Sequence, residues 1–420
     1  MRRTVIRNWG GAGVAAVTLA TILFATLTPT PGTPTMSFWC IVCGERGLLD
    51  FSANVVMFVP LGFAFMLATD RRWGSFLACL ATTLGIELLQ IRVVAGRDAS
   101  LGDLLANTLG GGIGVALAHW RAVFLFPRPA AARGLTLAWA ALFAVACGLA
   151  SAGLHPASVP RSLWIQWTPP RRGFEPFTGQ LLAFDVNGIN LPVGWPETSL
   201  GVDRVLRGPA WRATATIAAD RLESRRSVIV RIAEEYGVLV SIEQAGLHVT
   251  CMQKTRAGDF GFRSPKVALE NALPLGNGEA PSMVTVRCIR DSGTLIAGVD
   301  ERRETLRLSP GLGWFLVSPL DIALTRALWW ANALWLIGLT IPLGYWVAVA
   351  TWADTARRRG RAMLVLALAS SLAVGLMLAP IGAGTAIAAI WEWGAALCGL
   401  ALGSVLSRLT RHREVRRVSS

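Results

Sequence analysis

Two periodicities divide the chain. Long apolar runs propose eight spans, at approximately 10–30, 51–69, 74–91, 101–125, 133–153, 326–349, 362–380 and 384–405. Runs of this kind suit the helix of about 20 residues that a bilayer core requires. Between the fifth and sixth runs the period changes. A Pro/Trp/Arg-rich linker, HPASVPRSLWIQWTPPRRG, leads into WRATATIAA, SVIVRIA, GVLVSIEQ, GLHVTCMQ, SMVTVRCI and GTLIAGV. Two-residue alternation between Gly, Asp and Asn turns is the mark of antiparallel strands. The expected fold is a multi-span α-helical membrane protein of about eight transmembrane helices with an inserted extracytoplasmic all-β domain. The strand spacing favours a β-sandwich over a barrel. The expected division is a five-helix region at 1–154, the β domain at 155–325, and a three-helix region with a basic tail at 326–420.

Charge placement orients the spans. With the N-terminus inside, Arg2, Arg3 and Arg7 share a side with Arg71 and Arg72, with Arg121, Arg128 and Arg133, with Arg357, Arg358, Arg359 and Arg361, and with the arginines of the tail. Positive-inside bias requires this alternation, which a missed span would break. Both termini are then cytoplasmic, and residues 155–325 are extracytoplasmic.

Composition agrees. The chain has 53% hydrophobic and 16% charged residues, against about 25% charged in a soluble domain. The net charge of +14 does not point to nucleic acid, because the arginines flank the spans. Seven cysteines are too few for a disulfide scaffold. Cys79, Cys147 and Cys398 lie in apolar spans. Cys40 and Cys43 form a CxxC able to close a disulfide or bind metal, but no second pair completes a zinc site. Cys251 and Cys288 pair if their region is extracytoplasmic. The first apolar run is long for a signal region and reads as an uncleaved helix.

The costly residues lie in GIELLQIRVVAGRDASLGDLLANTLGGGIG. Under this topology Glu87 and Gln90 fall at the outer end of span three, and Asp103 and Asn107 at the outer start of span four. Arg92, Arg97 and Asp98 occupy the connection, and Asn54 lies about one turn into span two. Glu87 and Gln90 share one helical face, as do Asp103, Asn107, Gly110 and Gly114. The GxxxG admits a close neighbour, and Pro60 weakens the ladder of span two. The expected site is an outward pocket holding Asn54, Glu87, Gln90, Arg92, Arg97, Asp103 and Asn107, with Glu87 and Asp103 as candidate acid–base residues. A buried ion-pair network that fixes helix register is the competing reading. Glu392, between Trp391 and Trp393, reads as a deeper carboxylate of span eight. It would either pair with an arginine of the other membrane portion or stay protonated.

These residues carry a resemblance. Asn54, Phe58, Pro60 and Gly62, then Glu87 and Gln90, then Arg97, Asp103, Asn107 and Gly110 resemble the VanZ-like membrane family in order, type and spacing over about residues 10–120. The resemblance implies a bacterial cytoplasmic (inner) membrane as the setting, action at its outer face on envelope lipids or glycopeptides, and a link to glycopeptide resistance. Residues 174–310, beginning FEPFTGQLLAFDVNG, resemble a concanavalin A-like or laminin-G-like sandwich, a type that often binds glycans. That resemblance makes Asp185, Asn187 and Asn190 conceivable Ca²⁺ ligands, although DVNG reads more simply as a tight turn. Trp195 and Trp211 either stack on sugar or fill the core.

Three functions remain. The first is an envelope protein that binds a lipid headgroup or a glycan, with membrane lipids and an envelope glycan or lipid-linked glycan as the expected partners. The second is a membrane enzyme acting on isoprenoid- or phospholipid-linked headgroups through Glu87 and Asp103. The third, a transporter, lacks evident inverted repeats. Nothing calls for a cofactor or metal.

Overall fold

The computed structural model describes residues 2–29, 37–42, 44, 46–94, 96, 99–169, 174–193, 201–219, 226–235, 237–273, 282–320, 322–325, 328–352 and 358–418. Among these, eight helices are long and apolar enough to cross a membrane: Gly10–Leu27, Gly47–Thr69, Arg72–Arg92, Leu101–His119, Pro129–Leu154, Trp329–Thr351, Gly360–Gly382 and Ile390–Thr410. They are spans one to eight. Span two starts earlier than its apolar run, which sets Asn54 about two turns inside. Span four stops at His119, and a short helix, Arg121–Leu125, follows. The chain forms two compact units, Met1–Ala131 with Val317–Pro319, and Ala132–Leu316 with Leu320–Ser420. The sequence-based division at residue 154 follows chain order; by packing, span five sits in the second unit.

In the first unit, glycines bring spans two and four into backbone contact and let span three pack close beside them. A Cβ on Gly110 would overlap the Val55 carbonyl, one on Gly114 the Val59 carbonyl, and one on Gly62 the Gly111 carbonyl. Gly111 in turn packs against the Cys79 side chain. This is the close approach that small residues permit where no hydrophobic effect drives helices together. Phe58, Leu61, Cys79 and Ile86 join Ile22 of span one in the core of the unit. Ser100 caps span four by accepting the Asp103 amide at 3.0 Å, the ordinary role of an N-cap serine.

The second unit contains eleven described strands in two antiparallel sheets. They are β1 (Trp164–Trp167), β2 (Gln180–Val186), β3 (Ile189–Asn190), β4 (Ala210–Ala219), β5 (Arg226–Glu234), β6 (Gly237–Ala245), β7 (His248–Gln253), β8 (Lys266–Leu269), β9 (Ser282–Asp291), β10 (Thr294–Val299) and β11 (Arg302–Arg307). One sheet runs β1-β5-β6-β7-β8, the other β11-β10-β9-β4-β2-β3. Ile165, Ile242 and Val267 of the first sheet share a buried core with Phe184, Ala213 and Val286 of the second. A disulfide between Cys251 of β7 and Cys288 of β9 joins the sheets. Beside it Arg290 is buried, with Gln253 accepting from Nη1 at 3.2 Å. Burial without a countercharge pushes this guanidinium down to about 10.

Span five packs in the core formed with spans six, seven and eight, where Phe143 and Cys147 meet Leu336, Leu372 and Ala396. Trp139 donates from Nε1 to the Leu339 carbonyl at 2.7 Å. Span seven changes near its end to a π-helical turn, Val374–Leu378. Pro380 explains it: the ring cannot donate to the carbonyl four residues back and crowds it. That carbonyl, Leu376, instead accepts the Ala388 amide at 2.9 Å, while Leu308, just after β11, accepts Ala386 at 3.1 Å. The segment between spans seven and eight is thus tied to the β region. Gly293 (φ 87°), at the β9–β10 turn, leaves no room for a Cβ against Ala386.

Lys254 lies between Glu234 (2.7 Å) and Asp259 (3.0 Å). Burial pushes its ammonium down, but the hydrogen bonds and charges of the two carboxylates outweigh that, and its pKa is raised. Its contribution to stability is therefore complete below the unfolded lysine value of about 10.4 and is lost as pH rises through the higher folded value. Lys254→Met should cost about 1–3 kcal/mol at neutral pH, because it leaves two carboxylates uncompensated in partial burial. Thermal unfolding across pH 7–11 should show an alkaline decline in the parent that is smaller in the variant. For the glycine seam, Gly114→Ala should lower stability by about 1–3 kcal/mol through overpacking. Gly85→Ala is the matched control, since a Cβ there meets nothing within 4 Å. Equal melting curves in detergent for both variants would contradict the seam.

Candidate functional site

The polar residues of spans two, three and four do come together, one pair by direct bonding and the others through Ser100, Thr83 and Thr26. Asn54 donates from Nδ2 to the Asp103 carboxylate. Glu87, buried, accepts the Ser100 amide at 3.1 Å. Asn107 donates to Thr83 Oγ1 at 3.0 Å. Gln90 donates to the Thr26 carbonyl of span one at 3.0 Å. Each bond joins two different helices, or a helix to the start of the next. The carboxylates of Glu87 and Asp103 lie close enough to interact electrostatically.

This arrangement follows from local sequence. Span three carries Glu87 and Gln90 on its buried face together with Thr83 and Ile86. Span four buries Asn107 on the same face as Gly110, Gly111 and Gly114. The glycines draw the helices close, so short side chains such as Asn54 and Asp103 reach across. The loop Phe38–Cys40 completes the start of span four: Phe38 accepts the Leu101 amide at 2.7 Å and Cys40 accepts the Gly102 amide at 3.2 Å. This loop was no part of the expected site. Its only sequence signal was the Cys40/Cys43 pair. Cys40 is disulfide-bonded; Cys43 lies outside the described residues.

Two acceptors in the cluster stay unfilled. Gln90 Oε1 and Asn107 Oδ1 are buried and take no hydrogen bond among the described residues, an arrangement that calls for a donor from water or a ligand in a native protein. Of the expected arginines, Arg92 is exposed at the end of span three. Arg97 and Asp98 lie outside the described residues. The structure therefore assembles Asn54, Glu87, Gln90, Asp103 and Asn107 but does not bring Arg92 in among them.

Glu392 differs from its expected position. Span eight begins at Ile390, so this carboxylate is in the first turn. Its Oε2 accepts the Ala389 amide at 2.7 Å, the reciprocal half of a capping box. Its Oε1 accepts the Ser309 hydroxyl at 2.6 Å. The arginine whose charge reaches it is Arg307 of β11.

The β region holds a second polar concavity. Arg226, Glu243, His248, Thr250, Lys266 and Glu270 line a cavity of about 190 Å³. It was missed in the sequence because its residues come from four separate segments. At the DVNG turn, Asp185 Oδ1 accepts the Gly188 amide at 2.8 Å, and Asn187 (φ 50°) and Gly188 (φ 82°) are left-handed. The aspartate thus serves a tight turn. Trp211 is a core residue, 2% exposed; Trp195 lies outside the described residues.

Comparison with known proteins identifies one region. Residues 10–125 match the VanZ/LLP1 family, the stretch that holds the polar cluster. No curated protein and no solved structure matches the chain.

The Glu87–Ser100 bond makes a testable distinction. Glu87→Gln keeps an acceptor for the Ser100 amide and should change stability by less than about 1 kcal/mol. Glu87→Ala leaves a buried amide unpaired and should cost about 1–3 kcal/mol. Unfolding of the detergent-solubilised variants measures both.

Proposed function

We propose that this is a bacterial envelope membrane protein of the VanZ-like type that binds a lipid headgroup, or a glycan carried on lipid, at the outer face of the cytoplasmic membrane. The observation that carries this reading is the pair of unfilled buried acceptors, Gln90 Oε1 and Asn107 Oδ1, in the cluster that contains Glu87 and Asp103. A hydroxyl- or amine-bearing headgroup supplies the donors that the cluster lacks. Phosphate has no such complement among these residues unless Arg92 or Arg97 takes part. The two-sheet region, read as a β-sandwich with a polar concavity around Glu243 and Lys266, is the candidate glycan-facing element. The reading points toward envelope maintenance or glycopeptide resistance as the process served.

Two facts support the outward orientation of both regions. Arginine alternation, read by the positive-inside bias, favours the N- and C-termini inside and residues 155–325 outside. Disulfides persist in oxidising compartments, and Cys40 and the Cys251–Cys288 pair are all bonded. A reporter fused within residues 190–300 should be active outside the cytoplasm, and one at Arg358 inside; the reverse pattern overturns the orientation.

Enzymatic action on lipid-linked headgroups is the second reading, favoured by the presence of two carboxylates, Glu87 and Asp103, in one cluster. The two readings separate experimentally. Full-length protein in nanodiscs is titrated with lipid-linked glycans and phospholipids. Binding predicts saturable retention that Asn107→Leu and Gln90→Leu each weaken about 3- to 30-fold while the fold persists. Catalysis predicts turnover that Glu87→Gln and Asp103→Asn abolish without loss of folded protein. Absence of saturable retention and of turnover would sink both.

A further inference from the structure

A cavity of about 320 Å³ lies within the second unit, where β11 and the segment after it meet the starts of spans six and eight. Its size is at the lower end for a small-ligand site, about 300–1,000 Å³. Leu312, Leu324 and Leu328 form an apolar wall. Trp329 and Trp391 stand edge to face at its rim, ring centroids 6.0 Å apart. At its polar end are Glu392, Ser309, Asn332, Arg307 and Glu304.

The lining is built for more than packing. Trp329 is 60% exposed and Trp391 37%; both stand at the start of a span, where tryptophan sits at headgroup level, and both line the cavity. Glu392 is 1% exposed; its carboxylate accepts from Ser309 and Ala389 and interacts with Asn332 and the Arg307 charge, on a group with about four lone-pair sites. Gly311 preserves this geometry, because a Cβ there would overlap Glu392 Oε1. Arg307 is anchored by the Ile387 carbonyl at 3.1 Å, and Asn332 by the Trp314 indole at 2.7 Å. Among the described residues the lining carries both signs, Glu392 and Glu304 against Arg307, which suits a zwitterion with one group of each sign. Tryptophan faces favour an ammonium, the guanidinium favours a phosphate, and the leucines favour a chain.

We propose that this cavity binds an aminophospholipid, its ammonium toward Glu392 and the tryptophans, its phosphate toward Arg307 and its acyl chain along the leucine wall. The site is separate from the cluster of spans two to four, so each proposal stands or falls alone.

The test uses the full chain in nanodiscs of phosphatidylglycerol doped with phosphatidylethanolamine, with bound lipid counted by native mass spectrometry. Phosphatidylethanolamine should be retained in preference to phosphatidylglycerol, and Glu392→Gln should weaken its retention about tenfold. Because Glu392 also caps a helix, Trp329→Ala, at an exposed position, is the second variant; it should lower retention with an unchanged melting temperature. Free O-phosphoethanolamine competes only if the headgroup suffices, and failure to compete assigns the site to membrane lipid. No preference between the two lipids, or parental retention in both variants, overturns the proposal.

Discussion

A polar group within hydrocarbon must find its partner inside the protein, since no water is there to supply one. That constraint shapes both units. In the first, the Ser100 amide at the start of span four is met by Glu87. In the second, the Ala389 amide at the start of span eight is met by Glu392. Each buried glutamate therefore satisfies a donor that a helix start cannot satisfy internally, and each lies where the helix dipole favours negative charge. The carboxylates that look most out of place in the sequence are placed by the ends of the helices they serve.

Backbone contact makes those bonds possible. Asn54 and Asp103 have short side chains and meet only because Gly110 and Gly114 let span four lie against the carbonyls of span two. In the second unit a proline has the corresponding effect. Pro380 disrupts the end of span seven, and the carbonyl it displaces is taken up by Ala388 in the segment leading to span eight. The same segment is held by Leu308 and Arg307, so irregular backbone is tolerated where protein surrounds it.

Much of this was legible in the sequence. Hydropathy located all eight spans, and two-residue alternation located β4, β5, β6, β7, β9 and β10. The short or polar strands β1, β3, β8 and β11 escaped, because segments such as RRETLR carry no apolar alternation and are fixed by pairing with a neighbour. The meeting of Asn54 with Asp103 could be anticipated from topology and helical spacing. The partners Thr26 and Thr83 could not, because a backbone carbonyl and a lone threonine have no sequence signature. Glu392 was placed too deep because the apolar run continues through 384–389, where the chain is not helical; composition cannot distinguish a helix from an apolar segment that pairs with distant carbonyls.

The pattern of satisfaction also bears on chemistry. A general acid or base needs a free hydrogen-bonding position toward its substrate. Glu87 commits one oxygen to the Ser100 amide, and Asp103 accepts from Asn54, so both carboxylates carry structural duties first. What the cluster leaves open are the amide oxygens of Gln90 and Asn107, which cannot exchange protons at ordinary pH but can orient a donor. Neutral acceptors that take no hydrogen bond among the described residues, beside carboxylates that hold helix ends in place, favour the binding reading proposed above over the catalytic one. For that reason binding is the more economical account of this cluster.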